Sequence, residues 1–208
     1  MPSKKPAKLK SSSKAPSNES SRTKNPVEIL SSKTVFQGRV FRVTSDRVKE
    51  PGGIVVRRDV VRHGGSVVVL AVDDAGPEQR VLLEQQYRYA AGQYLWELPA
   101  GSIDPGEAPL SGARRELQEE TGYRAQRWSR ALYFYPSPGF VDETMSIFLA
   151  RGLTPGPSRP EEDEFITCEL LPLNQVLDMV LKGKIQDGKT IAAVLWLSET
   201  LRRNQSRS

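Results

Sequence analysis

The stretch from Gly101 to Tyr123, GSIDPGEAPLSGARRELQEETGY, limits what this chain can be more tightly than any other. Glu107 follows Gly101 after five residues, Arg115-Glu116 follow after seven more, and Leu117, Glu119-Glu120, Gly122 and Tyr123 complete the run. From about Pro109 to Glu120 it reads as a helix, with Gly122 where a left-handed C-terminal cap calls for glycine. On that helix Glu116, Glu119 and Glu120 project within an arc of about 100°. Carboxylates so close repel one another, and acids at the end of a helix also oppose its dipole. A solvated acidic face is the ordinary meaning of such a run. Against it stands the glycine-rich loop, Gly101 to Gly106, leading into the helix. A cation would reverse the repulsion, and hard oxygen ligands at this spacing suit Mg²⁺ or Mn²⁺, which leave room for substrate phosphates.

The flanks supply the other parts of a site. A nearly continuous apolar run, 66–72, fits a strand buried on both faces, and a second strand spans 80–87. Near its end Gln86-Tyr87-Arg88-Tyr89 sets a cation among aromatics. Arginine grips phosphate in a two-pronged fashion and tyrosine can line a base or sugar pocket, although a surface pair has the same appearance. Another short strand, 94–98, stops at Pro99 and delivers the chain to Ala100, Gly101 and Ser102. Strand, glycine loop and helix is the order needed to hold a diphosphate against carboxylates. Beyond the helix a strand at 131–135 ends in Pro136-Ser137-Pro138-Gly139, a stiff loop presenting Phe140, Asp142 and Glu143 before the strand 145–150. Such a loop suits a general base.

Before residue 64 the pattern differs. Short β-like runs at 34–36, 40–43, 54–56 and 59–62, with turns at Gly38 and Pro51-Gly52-Gly53, predict a small antiparallel meander. A meander of this size must pack on the main domain or on a second chain. His63, the one histidine, reads as a turn residue at the junction. The net charge of +5 lies in the first 26 residues, where seven basic side chains face one acid; that segment carries +6 and the remainder −1. The basic balance therefore describes a Ser-, Lys- and Pro-rich tail expected to be disordered, and no specific nucleic-acid contact is expected of the body. No apolar run reaches the ~20 residues of a membrane span. A single cysteine, Cys168, fits a reducing compartment and a buried structural thiol in the strand 165–170, so a cytoplasmic protein is expected.

Gly183-Lys184-Ile185-Gln186-Asp187-Gly188-Lys189-Thr190 satisfies the phosphate-loop pattern G-x₄-G-K-[S/T]. Such a loop follows a buried parallel strand, whereas here a helix-like segment, 173–182, precedes it, so the match is rejected. Asp187 reads instead as the N-cap of a final amphipathic helix with Ile191, Val194, Leu195 and Leu201 on one face.

The 101–123 run resembles the Nudix box at every spacing, with Tyr123 where an aliphatic residue is usual. Gln86-Tyr87-Arg88, Trp96-Glu97-Leu98-Pro99-Ala100-Gly101, Ser137-Pro138-Gly139 and the segment 187–191 extend the resemblance to the ADP-ribose pyrophosphatase branch of that family. The resemblance implies an α/β/α sandwich with a mixed sheet at 64–208, preceded by the tail (1–26) and a β meander (27–63) that joins homodimers. It implies metal binding by the Ala100 carbonyl, Glu116 and Glu120, with Glu119 sharing the cluster. Arg115 would orient the glutamates, Arg88 and Ser102 would contact substrate, and Glu143 would help activate water. The implied reaction is Mg²⁺-dependent hydrolysis of ADP-ribose to AMP and ribose 5-phosphate, with Mn²⁺ as a substitute and no organic cofactor. Two other readings stay open: a Nudix enzyme for a different nucleoside diphosphate derivative such as a GDP-sugar or dinucleotide polyphosphate, and a non-catalytic nucleotide-binding regulator.

Overall fold

The computed structural model describes residues 26–159 and 165–206. The basic tail expected to be disordered lies, but for Pro26, outside these residues. Two sheets and three helices make up the fold. The first sheet is the meander β1 (Glu28–Gln37), β2 (Phe41–Lys49) and β3 (Val55–His63), antiparallel throughout. The second contains β4 (Ser66–Asp73), β5 (Arg80–Arg88), β6 (Gln93–Glu97), β7 (Ala100–Ser102), β8 (Arg124–Phe134), β9 (Met145–Thr154) and β10 (Ile166–Pro172). Its order is β10-β5-β4-β9-β8, with β6 beside β5 and β7 beside β4. The β4–β9 pair is parallel and the others are antiparallel, so the sheet is mixed.

Strand β4 explains the layering. Successive side chains of a strand point to opposite faces, and every residue from Val67 to Val72 is fully buried. Val67, Val69 and Ala71 join Ala113 and Leu117 of α1 (Pro109–Thr121) on one face. Val68, Leu70 and Val72 join Val176 of α2 (Leu173–Leu181) and Ala193, Val194 and Leu197 of α3 (Gly188–Gln205) on the other. Each such aliphatic side chain stabilises the fold by about 1.5–3 kcal/mol when fully buried. The result is helix, sheet, helix, the α/β/α arrangement expected. Among the described residues no helix is long and apolar enough to cross a membrane.

Several sequence expectations change in detail. The meander has three strands, not four runs: the 54–56 and 59–62 segments are both parts of β3, joined through Arg57-Arg58 on an exposed face. The 40–43 run extends to Lys49, because the polar stretch after it is held inward by the buried Asp46. The strand after α1 begins at Arg124 instead of 131. It is a sheet edge, where charged side chains on the open face mask the β pattern. The glycine-rich loop is shorter than expected, since Ala100, Gly101 and Ser102 pair with Val68, Val67 and Ser66 as β7. On α3 the inward face is Thr190, Ala193, Val194 and Leu197, while Leu195 is exposed. The phosphate-loop look-alike lies between α2 and α3, and Asp187 caps α3 by accepting from Thr190 N at 2.9 Å.

The meander meets the second sheet along a narrow polar seam. Val61 N donates to Phe140 O at 2.8 Å and Asp142 N donates to Val61 O at 3.0 Å. Asp142 also accepts from His63 N at 2.8 Å and from Arg62 at 3.2 Å, while Arg62 reaches back to Asp46 at 2.5 Å. Every residue of β1 is exposed. Ile29, Val35, Phe36, Val40 and Ile54 each keep more than half of their surface open, with Ile54 at 66%.

Candidate active site

A cavity of about 850 Å³ lies where α1, β7, the end of β3 and the start of α3 converge. Its lining contains Arg88, Ala100, Ser102, Arg115, Glu116, Glu119, Glu120 and Glu143, all nominated from sequence. It also contains Arg39, His63, Arg159 and Lys189, which were not. The tyrosines beside Arg88 are absent from it: Tyr89 is almost wholly exposed and Tyr87 packs edge-on against Tyr94, ring centres 5.3 Å apart.

The α1 wall is built from a helix that breaks its own electrostatic rule. It ends in Gly122 with φ of 74°, which lets the chain turn sharply after Glu119-Glu120. Glu116 and Glu120 are buried; the Glu119 side chain is about half exposed. Arg115 gathers the acids. It donates to Glu107 Oε1 at 3.2 Å and Oε2 at 3.0 Å, to Glu116 Oε1 at 2.7 Å, to Glu119 Oε2 at 3.1 Å and to the Ser102 carbonyl at 3.0 Å. The Glu107 contacts, and then the neighbouring glutamates, raise the Arg115 pKa further, and Arg115 in turn holds Glu107 below the usual carboxylate range. Helix and loop are thereby tied to β7.

Strand β7 supplies a flat backbone edge to the carboxylates. Ala100 N donates to Glu120 Oε2 at 3.1 Å. At Gly101 any Cβ would overlap the Glu116 carboxylate, so glycine is required for that close approach. A row of hard oxygen donors beside exposed backbone fits a divalent cation. Among the described residues no three His, Cys, Asp or Glu side chains close into a ready-made coordination sphere. Carboxylate oxygens beside backbone are hard donors of the kind that Mg²⁺ or Mn²⁺ takes together with substrate phosphates.

Arg88 and Lys189 bring further cations to the same cavity. Arg88 does not reach into an empty space: its guanidinium forks onto the buried Glu97, at 2.8 Å and 2.9 Å, and Lys189 bonds to the same carboxylate. Burial alone would raise the Glu97 pKa, but Arg88 and Lys189 outweigh it and hold it low. Contact with Glu97 likewise raises the Arg88 pKa. Lys189 also lies 3.1 Å from Asp187, and Thr190 Oγ1 accepts from Leu98 N at 2.8 Å, so the start of α3 is fastened to the strand leading into β7. Lys189 belongs to the rejected phosphate-loop match. The fold brings that one lysine to the cavity from a helix N-terminus, without a phosphate-cradling loop.

Glu143 completes the lining. Ser66 Oγ donates to its Oε1 at 2.6 Å, and His63 Nδ1 lies 3.8 Å from the same oxygen. Gly65 N donates to His63 Nδ1 at 3.1 Å, which fixes the ring beside Glu143. His63 is therefore a lining residue and not just a turn. A lone histidine before Gly64-Gly65 carries no periodic signal, so its position becomes visible only in three dimensions. Cys168 sits behind the cavity with Sγ 3.9 Å from Glu120 O. Burial, with Glu84 and Glu120 adding to it, pushes the thiol up to about 12, which leaves it unreactive.

Comparison with known proteins agrees with this geometry. A family model described as the NUDIX domain matches residues 62–194. An ADP-ribose pyrophosphatase of Mycobacterium tuberculosis is 40% identical over 172 residues, covering 81% of each chain. A methanol dehydrogenase activator of Bacillus methanolicus is 35% identical over 170 residues, covering 81% of this chain and 90% of that one. Among solved structures, an ADP compounds hydrolase superposes with a TM-score of 0.74 at 24% identity, covering 90% of this chain and all of the other. At that identity the superposition speaks for the fold.

Proposed function

The chain belongs to the NUDIX family, and from that premise we propose that it hydrolyses the diphosphate of ADP-ribose, giving AMP and ribose 5-phosphate. The observation that carries this reading is that one cavity is lined both by the carboxylates of α1 and by Arg88 and Lys189, a combination suited to an anionic substrate bridged by cations. The resemblance to the Mycobacterium tuberculosis ADP-ribose pyrophosphatase over most of both chains supplies the substrate class.

In the proposed reaction a water oxygen attacks one phosphorus, the bridging P–O bond breaks, and the bridging oxygen leaves with the other phosphate. Glu143 takes the proton of the attacking water, and Ser66 fixes the carboxylate that does so. Arg88 holds a phosphate oxygen while Glu97 keeps its guanidinium in plane. Ser102 borders the site from the end of β7, and Arg115 keeps Glu116 and Glu119 aligned. Glu116, Glu119, Glu120 and the Ala100 carbonyl would hold Mg²⁺, or Mn²⁺ in its place, which when bound neutralises phosphate charge and lowers the pKa of water. The remaining work is charge and position.

The protein acts as a homodimer in this reading, with residues 27–63 covering the partner and residues 64–208 forming the hydrolase domain. The exposed apolar side chains of β1 and its neighbours support that arrangement. A reducing, cytoplasmic setting fits the single, inert cysteine. The resemblance to a methanol dehydrogenase activator favours a second reading, action on another nucleotide in a regulatory role. An Mg²⁺-dependent assay across a panel of nucleoside diphosphate derivatives separates them. Preferential turnover of ADP-ribose is expected, and absence of any turnover would defeat the hydrolase reading.

A further inference from the structure

Segment 155–159 lies across the C-terminal end of α1 as a strap. Arg159 N donates to the Glu119 carbonyl at 2.7 Å, filling one of the acceptors that a helix end leaves open. The strap is pressed so close that a Cβ at Gly122 would overlap Gly156 O and stand 2.7 Å from Ser158 N. The same glycine that ends the helix thus admits the strap. Its effect is to fix the backbone of Arg159 to the residue that carries one of the cavity's carboxylates, and Arg159 is itself among the residues that line the cavity.

Three other cations of this cavity already face carboxylates. Arg88 is forked onto Glu97, Lys189 binds Glu97 and Asp187, and Arg115 is shared among Glu107, Glu116 and Glu119. Arg159 has no carboxylate partner among the described residues. A guanidinium not shared with a carboxylate keeps its two parallel N–H groups for phosphate oxygens, whereas Arg88 has only its remaining N–H groups to offer.

We infer that Arg159 is a substrate-binding residue that grips a phosphate oxygen from the C-terminal end of α1. The inference rests on the phosphate chemistry proposed above but not on ADP-ribose as the substrate. Its action is to bind ground state and transition state alike, which lowers KM without changing kcat.

The test uses the full chain with saturating Mg²⁺ and two probes. Inorganic pyrophosphate is titrated by calorimetry, and ADP-ribose turnover is followed at steady state, for the unaltered protein, Arg159→Ala and Arg159→Lys. Arg159→Ala is expected to weaken pyrophosphate about 10- to 100-fold and to raise KM by a similar factor, with kcat within about threefold. Arg159→Lys should recover part of the loss, since it keeps the charge but not the fork. Because Arg159 is exposed, thermal melting should be nearly unchanged in both variants. Gly122→Ala, which must displace the strap, should raise KM and also lower the melting temperature. Pyrophosphate binding by the unaltered protein that Arg159→Ala leaves within twofold, or no pyrophosphate binding at all, overturns the inference. Arg159-dependent pyrophosphate binding without ADP-ribose turnover would uphold it while refuting the substrate reading.

Discussion

The α1 wall and the β1–β3 meander solve opposite problems. On α1, mutually repelling carboxylates are buried and held in place by Arg115, by the β7 backbone and by the absence of a side chain at Gly101. On the meander, many apolar side chains stand in the open, while the buried groups include an acid, Asp46, held by Ser32, Thr44 and Arg62. The first region concentrates negative charge at the wall of a cavity. The second displays apolar surface to the outside. One chain thus carries two surfaces of opposite polarity, joined through Arg62, His63 and Asp142.

Substitutions distinguish the two. The largest effect is expected at Glu120→Gln, where kcat for the preferred substrate should fall about 10²- to 10³-fold while the melting temperature stays near that of the unaltered chain. Near-native turnover would remove Glu120 from the proposed metal set. Gly101→Ala tests the close approach of backbone and carboxylate, and about a 100-fold loss of kcat is expected from displacing Glu116. An active Gly101→Ala enzyme would show that the helix can retreat without consequence.

On the meander, Val35→Asp should raise the dimer dissociation constant about tenfold or more, read by sedimentation, with little change in the circular dichroism spectrum. If the unaltered chain already sediments as a monomer, the apolar face has some other purpose. The smallest effect concerns acid. The hydrogen bond from Ser32, and next Arg62, outweigh burial and hold the Asp46 pKa below its ordinary value. A depressed carboxylate contributes stability that is fully present above its unfolded pKa of about 4 and is lost as pH falls through the lower folded value. Urea titrations at neutral pH and below pH 4 should therefore show an acid-sensitive component of about 1 kcal/mol or less that Asp46→Asn abolishes.

What the sequence made legible follows the same division. The spacing of Gly101, Glu107, Arg115, Glu116 and Glu120 is local, and so were helix α1 and its Gly122 cap, whereas the short β7 before it and the early start of β8 after it were not. His63, Arg159 and Lys189 reach the cavity from residues far apart in sequence, each without a periodic pattern around it, and no local reading could gather them. Arg88 was visible as a phosphate-type arginine, but its fork onto Glu97 was not, since the pairing depends on the β5–β6 hairpin register. The length of β2 was hidden for a related reason: Thr44 and Asp46 look like solvent residues and are buried only because Arg62 crosses from β3 to meet them.

The fastening of α3 to the strand before β7 has a consequence in time. Lys189 and Thr190 bond to residues 92 positions earlier, Glu97 and Leu98. Closing so wide a loop is slow and is rewarded only when both ends are in place. During synthesis the residues of α1 are therefore made well before Lys189, and the contacts of Lys189 and Thr190 with Glu97 and Leu98 can form only after most of the chain has been made.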